Sequence, residues 1–555
     1  MSSRKYAGLA MVIIICWNCS KKSSDGNSPP VAPNFYSTDI KLNGQTATAS
    51  NYNINLVPVL KFSFSAALNK NTVGAAISFQ NKAGTAIPYS TSYENNDKTV
   101  VIQPSSSLTY LTKYSVSVSN SLKSTEGGSL ITGVDVSFIT KIDSSRKFSL
   151  ISDDALLTLV QQQTFKYFWD FGHPVSGMAR ERNTSGETVT TGGTGFGIMA
   201  IPVAISRNFI TRSDGLARLQ KIVSFLKNTA LNFHGAFSHW MNGSSGAVVP
   251  FAANDDGADL VETSYLVMGL LTARQFFNGA DVSETTLRND INSLWNAVEW
   301  DWFRQNGKNV LYWNWSPNFG WAVNVPIQGW NETLITYVLA ASSATHAISR
   351  TVYDSGFARS GAMRNGSSYY GYILPLGEAY GGPLFFEHYS FLGINPNALT
   401  DAYANYQSQT VNHTKINYEY CKANPKQYFG YSDSCWGLTA SDIENGYTAS
   451  SPTNDVSVIA PTAAISSMPY TPTESMKALK FFYYVLGDKL WGEYGFKDAF
   501  SLQNLWFANS YLAIDEGPII GMIENYRTGL LWNLFTSCPE VKVGLVSLGF
   551  AAPYL

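Results

Sequence analysis

The stretch with most chemical potential is Asn254–Leu271, NDDGADLVETSYLVMGLL. Read as a helix, it sets Asp255, Asp259 and Glu262 at i, i+4 and i+7, within roughly 60° of one another, while Asp256 points elsewhere. An aromatic-rich segment follows, with Trp313, Trp315, Trp321 and Trp330 leading to Glu332. Cleaving an acetal bond with inversion needs one carboxyl to protonate the leaving oxygen and one carboxylate to activate water. Such pairs stand about 6.5–9.5 Å apart, against about 5 Å in retaining sites. Along a helix axis, i and i+7 are separated by about 10.5 Å and i and i+4 by about 6 Å. The stripe can therefore supply one partner and hold a sugar, and the second partner comes from another helix. Glu332, in Gly329-Trp330-Asn331-Glu332-Thr333, opens a different apolar helix and is the natural complement. A carboxyl beside an indole and a helix body is desolvated, which raises its pKa as a general acid requires.

Structural roles compete with this reading. Acidic residues in a first helical turn favour the macrodipole and cap free N–H groups. Glu262 is hardest to assign that way, because it lies inside an apolar helix where an unpaired carboxylate is costly. Calcium binding by Asp255, Asp256 and Asp259 is disfavoured by the position of Gly257, and neither metal nor cofactor is expected. Trp313 and Trp315, in a Gly/Asn/Pro-rich stretch, and Trp330 and the pair His239-Trp240 are candidate sugar contacts. No Ser/His/Asp arrangement is present, and Gly192-Gly193-Thr194-Gly195 lacks the Lys of a phosphate loop.

The elements that must hold these residues change along the chain. Residues 1–19 read as a secretory signal, with Arg4 and Lys5 before an apolar run from Ala7 to Cys16. Cys19 followed by Ser-Lys-Lys-Ser-Ser resembles the start of a mature bacterial lipoprotein, so export and lipid attachment at Cys19 to the outer membrane are expected. Residues 20–33 read as a tether. From 34 to 140, short alternating runs (Leu60–Phe64, Thr99–Ile102, Tyr114–Val118, Val134–Ile139) between turns at Asn95-Asn96-Asp97 and Glu126-Gly127-Gly128 argue an Ig-like β-sandwich. A linker covers 141–152.

From 153 to 555 the period becomes helical. Helical stretches are expected at Asp153–Phe168, Leu216–Leu226, Asp259–Phe277, Thr285–Trp300, Glu332–Ser349, Thr473–Leu486 and Gly517–Phe535. They predict an all-α domain whose familiar enzymatic form at this size is the (α/α)6 toroid. Cys421 and Cys435 could close a loop of about 15 residues, worth up to about 3 kcal/mol if oxidised. Charge balance, 38 basic against 40 acidic residues, points away from nucleic acid. Aromatics at 14% and charged residues at only 14%, against about 25% for an average soluble protein, suit an exported carbohydrate-handling protein.

Seven stretches in order carry a resemblance: TFKYFWD (164–170), GFGIMAIPVAISRNFITR (195–212), DDGADLVETSYLVMGLLTARQFF (255–277), NETLITYVLAASSATH (331–346), WGLTASD (436–442), PTAAISSMPYTP (461–472) and IDEGPIIGMIENYRTGLLW (514–532). Residues 163–534 resemble the glycoamylase-like family, and within it the β-1,2-glucanases of glycoside hydrolase family 144. The segment before them resembles bacterial Ig-like domains of the SbsA type. The resemblance implies an (α/α)6 toroid that hydrolyses linear β-1,2-glucan with inversion and without a cofactor. It implies that Asp255, Asp259, Glu262 and Glu332 are active-site acids and that Arg182 contacts substrate, with Asp442 and Asp515 as further candidates for the base. Endo-cleavage to sophorose and short oligosaccharides by a monomer is the expectation. Exo-release of sophorose, or glycan binding without catalysis, are the alternatives.

Overall fold

A computed structural model describes residues 31–555, so the signal segment and Cys19 lie outside the described residues. The chain divides into two compact units, Met1–Lys141 and Ile142–Leu555.

The first unit is a β-sandwich with one short helix, Lys70–Ala76. Its strands are β1 (Ser37–Leu42), β2 (Gln45–Thr46), β3 (Asn51–Ile54), β4 (Leu60–Phe64), β5 (Ile77–Asn81), β6 (Tyr89–Glu94), β7 (Thr99–Pro104), β8 (Lys113–Val118) and β9 (Val134–Thr140). One sheet has the order β2-β1-β4-β7-β6 and the other β3-β9-β8-β5. Alternation sets the faces. In β4, Leu60, Phe62 and Phe64 point inward while Lys61 and Ser63 do not. Phe62, Val100, Val116 and Phe138 meet in the core between the sheets. Asn95, Asn96 and Asp97 all have positive φ (56°, 55° and 63°), and they turn β6 back onto β7 in antiparallel register.

The second unit is helical, with two kinds of helix. Arg212–Asn228 and Val282–Asn296 each bury one face, through Leu219, Ile222, Val223 and Leu226 or through Leu287, Ile291 and Trp295. Thr191–Ser206, Leu260–Phe276, Leu334–Ser342 and Ala513–Arg527 are buried nearly all round. One-sided burial marks an outer helix and all-round burial an inner one. The inner helices pack in succession: Ala513–Arg527 on Thr191–Ser206, that helix on Leu260–Phe276, and Leu260–Phe276 on Leu334–Ser342. Asp153–Trp169 and the outer helices begin where the sequence supplies caps. Ser152, Thr211 and Asp281 accept a first-turn N–H from Ala155, Asp214 and Glu284 respectively.

Several helices differ from their expected extents. The helix after Glu332 starts at Leu334 and ends at Ser342, seven residues short of the expected Ser349. The Gly517–Phe535 stretch is two helices, Ala513–Arg527 and Leu530–Thr536, broken at Gly529 with φ 69°. Thr191–Ser206 and Tyr406–Ala423 were not expected as helices. The first is glycine-rich because two inner helices touch there. A Cβ on Gly195 would lie 2.2 Å from the Tyr265 carbonyl oxygen, and one on Gly269 would lie 2.2 Å from that of Gly195. Cys421, Cys435 and Cys538 are buried free thiols, so Cys421 and Cys435 are unbonded. Among the described residues no helix is long and apolar enough to cross a membrane.

Candidate active site

The inner helices start where the acids lie, which suits carboxylates electrostatically. Asp259 is the N-cap of Leu260–Phe276, and its Oδ1 accepts the Glu262 N–H at 2.9 Å. The expected helical stripe is therefore corrected: only Glu262 lies on the helix. Asp255 precedes it, in a segment whose Ala258–Asp259 bridge pairs with Asn314–Trp315. A Cβ on Gly257 would lie 2.2 Å from the Trp315 carbonyl oxygen, so glycine is required for that approach. The two neighbouring aspartates then diverge. Asp255 accepts from Asn314 Nδ2 at 3.1 and 3.2 Å, whereas Asp256 turns to Ser316 and Asn318.

His239 ties the acids together. Its Nδ1 is 2.9 Å from Asp259 Oδ2 and its Nε2 is 4.0 Å from Glu262 Oε1. Burial opposes a charge on this ring, but Glu262, Asp259 and Asp255 outweigh burial and raise its pKa to about 9. The ring is therefore an imidazolium at neutral pH. Glu262 Oε2 accepts the Gly192 N–H at 2.7 Å and the Thr190 hydroxyl at 3.5 Å. Gly192 is in the first turn of Thr191–Ser206, so a free helix-end amide holds this carboxylate. Burial, with Asp259 adding to it, still raises the Glu262 pKa.

Glu332 sits in a turn two residues before Leu334–Ser342. Its carbonyl accepts from the Ser390 and Tyr265 hydroxyls, and its carboxyl accepts from its own backbone N–H. Burial is the main cause raising its pKa to about 7, and Glu262 and Asp259 are near enough to add to the rise. Asp255, whose pKa is lifted to about 6 first by burial and then by Asp259, completes the set.

A second acidic group lies at the start of Ala513–Arg527. Asp442 accepts from Arg182 Nη1 at 3.2 Å and from Ser510 at 2.5 Å, and its own N–H donates to Asp498 at 2.7 Å. Burial followed by Asp498 pushes the Asp515 pKa well up, and burial holds Glu516 up likewise. Tyr389 joins the two groups. Its ring packs 5.7 Å from Tyr265 and 5.2 Å from Phe196, and its hydroxyl pKa is raised by burial first and then by charges that include both Asp515 and Glu332.

The aromatic candidates separate by exposure. Trp313 and Trp315 are half-buried on the hairpin beside Asp259, and Trp240 packs edge-on to His239 at 5.5 Å. Trp330 is a correction. It is only 6% exposed, packs against Phe357, Phe391 and Tyr406, and donates its N–H to Glu387, so it offers no ring face to a sugar. Arg182 belongs to the Asp442 group. Sequence reasoning overlooked Asn314, Asp498, Ser510 and Phe251, whose half-exposed ring lies flat on His239 at 4.1 Å. None of these carries a spacing signal; pairing between distant loops brings them in.

The helical domain thus gathers its carboxyls beside half-buried indoles. The Glycoamylase family model matches residues 324–539 and the bacterial Ig-like domain model residues 32–140. An endo-β-1,2-glucanase from Chitinophaga pinensis, solved with sophorotriose and glucose, is 51% identical with a TM-score of 0.72, over 73% of this chain and 100% of that one. A β-1,2-glucanase structure from Parabacteroides distasonis is 37% identical with a TM-score of 0.70, over 94% of this chain and 74% of that one. An exo-β-1,2-glucooligosaccharide sophorohydrolase acting at the non-reducing end, also from Parabacteroides distasonis, is 46% identical over 418 residues. That match takes in 71% of this chain, and the chain spans 58% of the relative's length. The chain belongs to the glycoamylase-like family, in which these β-1,2-glucan enzymes fall.

Proposed function

We propose that this protein hydrolyses linear β-1,2-glucan with inversion, cutting within the chain to give sophorose and short oligosaccharides. The observation that carries the reading is that Glu332 lies near Glu262 and Asp259, which share the His239 imidazolium with Asp255. Glu332, with its pKa near 7, is the general acid, acting directly or through a substrate hydroxyl. Asp259 and Glu262 already hold His239 and backbone amides, so they orient the sugar and fix the local charge. Among the described residues the Asp255 side chain bonds only to the Asn314 amide, which makes it the carboxylate freest to direct water. Asp442 is the second candidate for that task, and Asp515 ranks behind it because burial favours its protonated form. Trp313, Trp315 and Trp240 supply faces for flanking glucoses. We further infer that the inner and outer helices close into an (α/α)6 toroid, and that Cys19 anchors the protein to the outer membrane.

Incubating purified protein with linear β-1,2-glucan and resolving products over time tests the assignment. Early intermediate-length oligosaccharides support endo action. Sophorose alone from the first time point supports the exo reading that the sophorohydrolase relative favours. Retention of intact polymer with no new reducing ends would identify a binding protein instead.

A further inference from the structure

A buried carboxylate outside the acid cluster, Glu387, is wired to the segment that carries Glu332. Glu387 is fully buried, and three N–H groups converge on its Oε1: Trp330 Nε1 at 3.0 Å, Gln409 Nε2 at 2.8 Å and His413 Nδ1 at 2.8 Å. Its Oε2 has no hydrogen-bond partner among the described residues. His413 is fixed at its far side too, with Nε2 3.0 Å from the Gly382 carbonyl. The Glu387 backbone is held as well, its carbonyl accepting the Tyr470 hydroxyl at 2.8 Å.

Burying a carboxylate is costly unless its partners compensate, and an apolar side chain would fill the space without that cost. What the carboxylate adds is direction. Its single fully used oxygen fixes the indole of Trp330, two residues before Glu332. Three residues beyond Glu387, the Ser390 hydroxyl donates to the Glu332 carbonyl and accepts the Ile335 N–H at 3.0 Å. The turn that presents Glu332 is thus clamped on both sides by one short segment, Glu387–Ser390. Gly329, with φ 80°, starts that turn and has no side chain to hold it.

We propose that Glu387 is a positioning residue for Glu332, acting through the indole N–H of Trp330. Its task is to hold the acid at the reacting oxygen, so its loss shows in turnover and not in substrate capture. The inference rests on the general-acid reading of Glu332.

Three variants assayed on linear β-1,2-glucan test it. Trp330→Phe keeps an aromatic ring and deletes the N–H. Glu387→Leu deletes the acceptor. Glu387→Gln keeps an oxygen at the Oε1 position and serves as the conservative rescue. Misplacing a catalytic group by about 1 Å costs up to about a hundredfold. Trp330→Phe and Glu387→Leu should each therefore lower kcat about tenfold or more, with KM within about twofold. The double variant should be no slower than the slower single one, and Glu387→Gln should lie within about threefold of wild type.

A folded Trp330→Phe with wild-type kcat, effects that multiply in the double variant, or a loss confined to KM would each overturn the proposal. If Glu387→Leu does not fold, the kcat and KM of Trp330→Phe decide alone. Glu332→Gln is run in parallel. Full activity there removes the acid assignment itself, whereas an inactive Glu332→Gln beside an unimpaired Trp330→Phe removes only the positioning role.

Discussion

His239 and Asp259 meet at 2.9 Å through Nδ1 and Oδ2, while the other oxygen of Asp259 caps the amide of Glu262. One aspartate thus does the structural work of starting a helix and the electrostatic work of holding a cation among acids. Replacing His239 with Gln removes that cation and leaves Asp255, Asp259 and Glu262 to repel one another. Turnover should fall by about tenfold or more, the order of one lost charge-stabilising group. Steady-state kinetics on β-1,2-glucan measure this, and an unchanged kcat would leave His239 a purely structural role.

The same ring gives stability a pH dependence with a definite sign. His239 has a folded pKa of about 9, against about 6.5 in an unfolded chain. Its contribution is fully present below about pH 6.5 and is lost as pH rises through about 9. Glu332 and Asp255, raised to about 7 and about 6, act in the same direction at lower pH, because the native state holds their protons more tightly than the unfolded chain does. Tm should therefore fall between pH 6 and 9, and His239→Gln should flatten the upper half of that fall. A Tm that climbs across this range would contradict the electrostatic picture.

Activity should follow a bell. Glu332 must carry its proton to donate it, so the rate falls as pH rises through about 7. Asp255 must be ionised to direct water, so the rate falls as pH drops through about 6. Asp255→Asn should remove the acidic limb along with most of the turnover. If the limb survives in Asp255→Asn and vanishes in Asp442→Asn, the water-directing role moves to Asp442.

Gly192 is a sensitive point for chemistry and Gly195 for folding. A Cβ at Gly192 would stand 2.6 Å from Glu262 Oε2, so Gly192→Ala must displace that carboxylate. Its kcat should drop much further than its Tm. A Cβ at Gly195 would press on the backbone of the neighbouring helix, and Gly195→Ala should destabilise by about 1–3 kcal/mol, as overpacking does. Thermal melts beside kinetics separate the two.

Much of this was legible in the residues, and what was hidden has physical causes. The sandwich strands follow alternation closely: Leu60–Phe64 is a strand with those bounds. Glu262 stood out because an apolar helix has little reason to hold a carboxylate. Thr191–Ser206 escaped notice because glycine usually marks a turn, and its glycines serve instead a contact between two inner helices that a sequence does not display. Asp255 and Asp259 looked like a helical stripe because the spacing fits, yet Asp259 pairs with Asn314 in a bridge ahead of the helix and Asp255 is held by the Asn314 amide. Trp330 looked like a sugar platform, and its indole is turned inward by Glu387, 57 positions along the chain.

Glu332→Gln should cut turnover by about a hundredfold to ten-thousandfold, the span of a general acid's contribution, while calorimetric titration with β-1,2-gluco-oligosaccharides shows wild-type affinity. Loss of binding in step with activity would assign Glu332 to substrate capture.

The most direct measurement is proton NMR of the first products released from linear β-1,2-glucan, read before mutarotation equilibrates them. A site that protonates the leaving oxygen from Glu332 and attacks from the opposite face with a carboxylate-directed water should release new reducing ends as the α-anomer. New ends that emerge as the β-anomer, or polymer left uncut, would contradict the account.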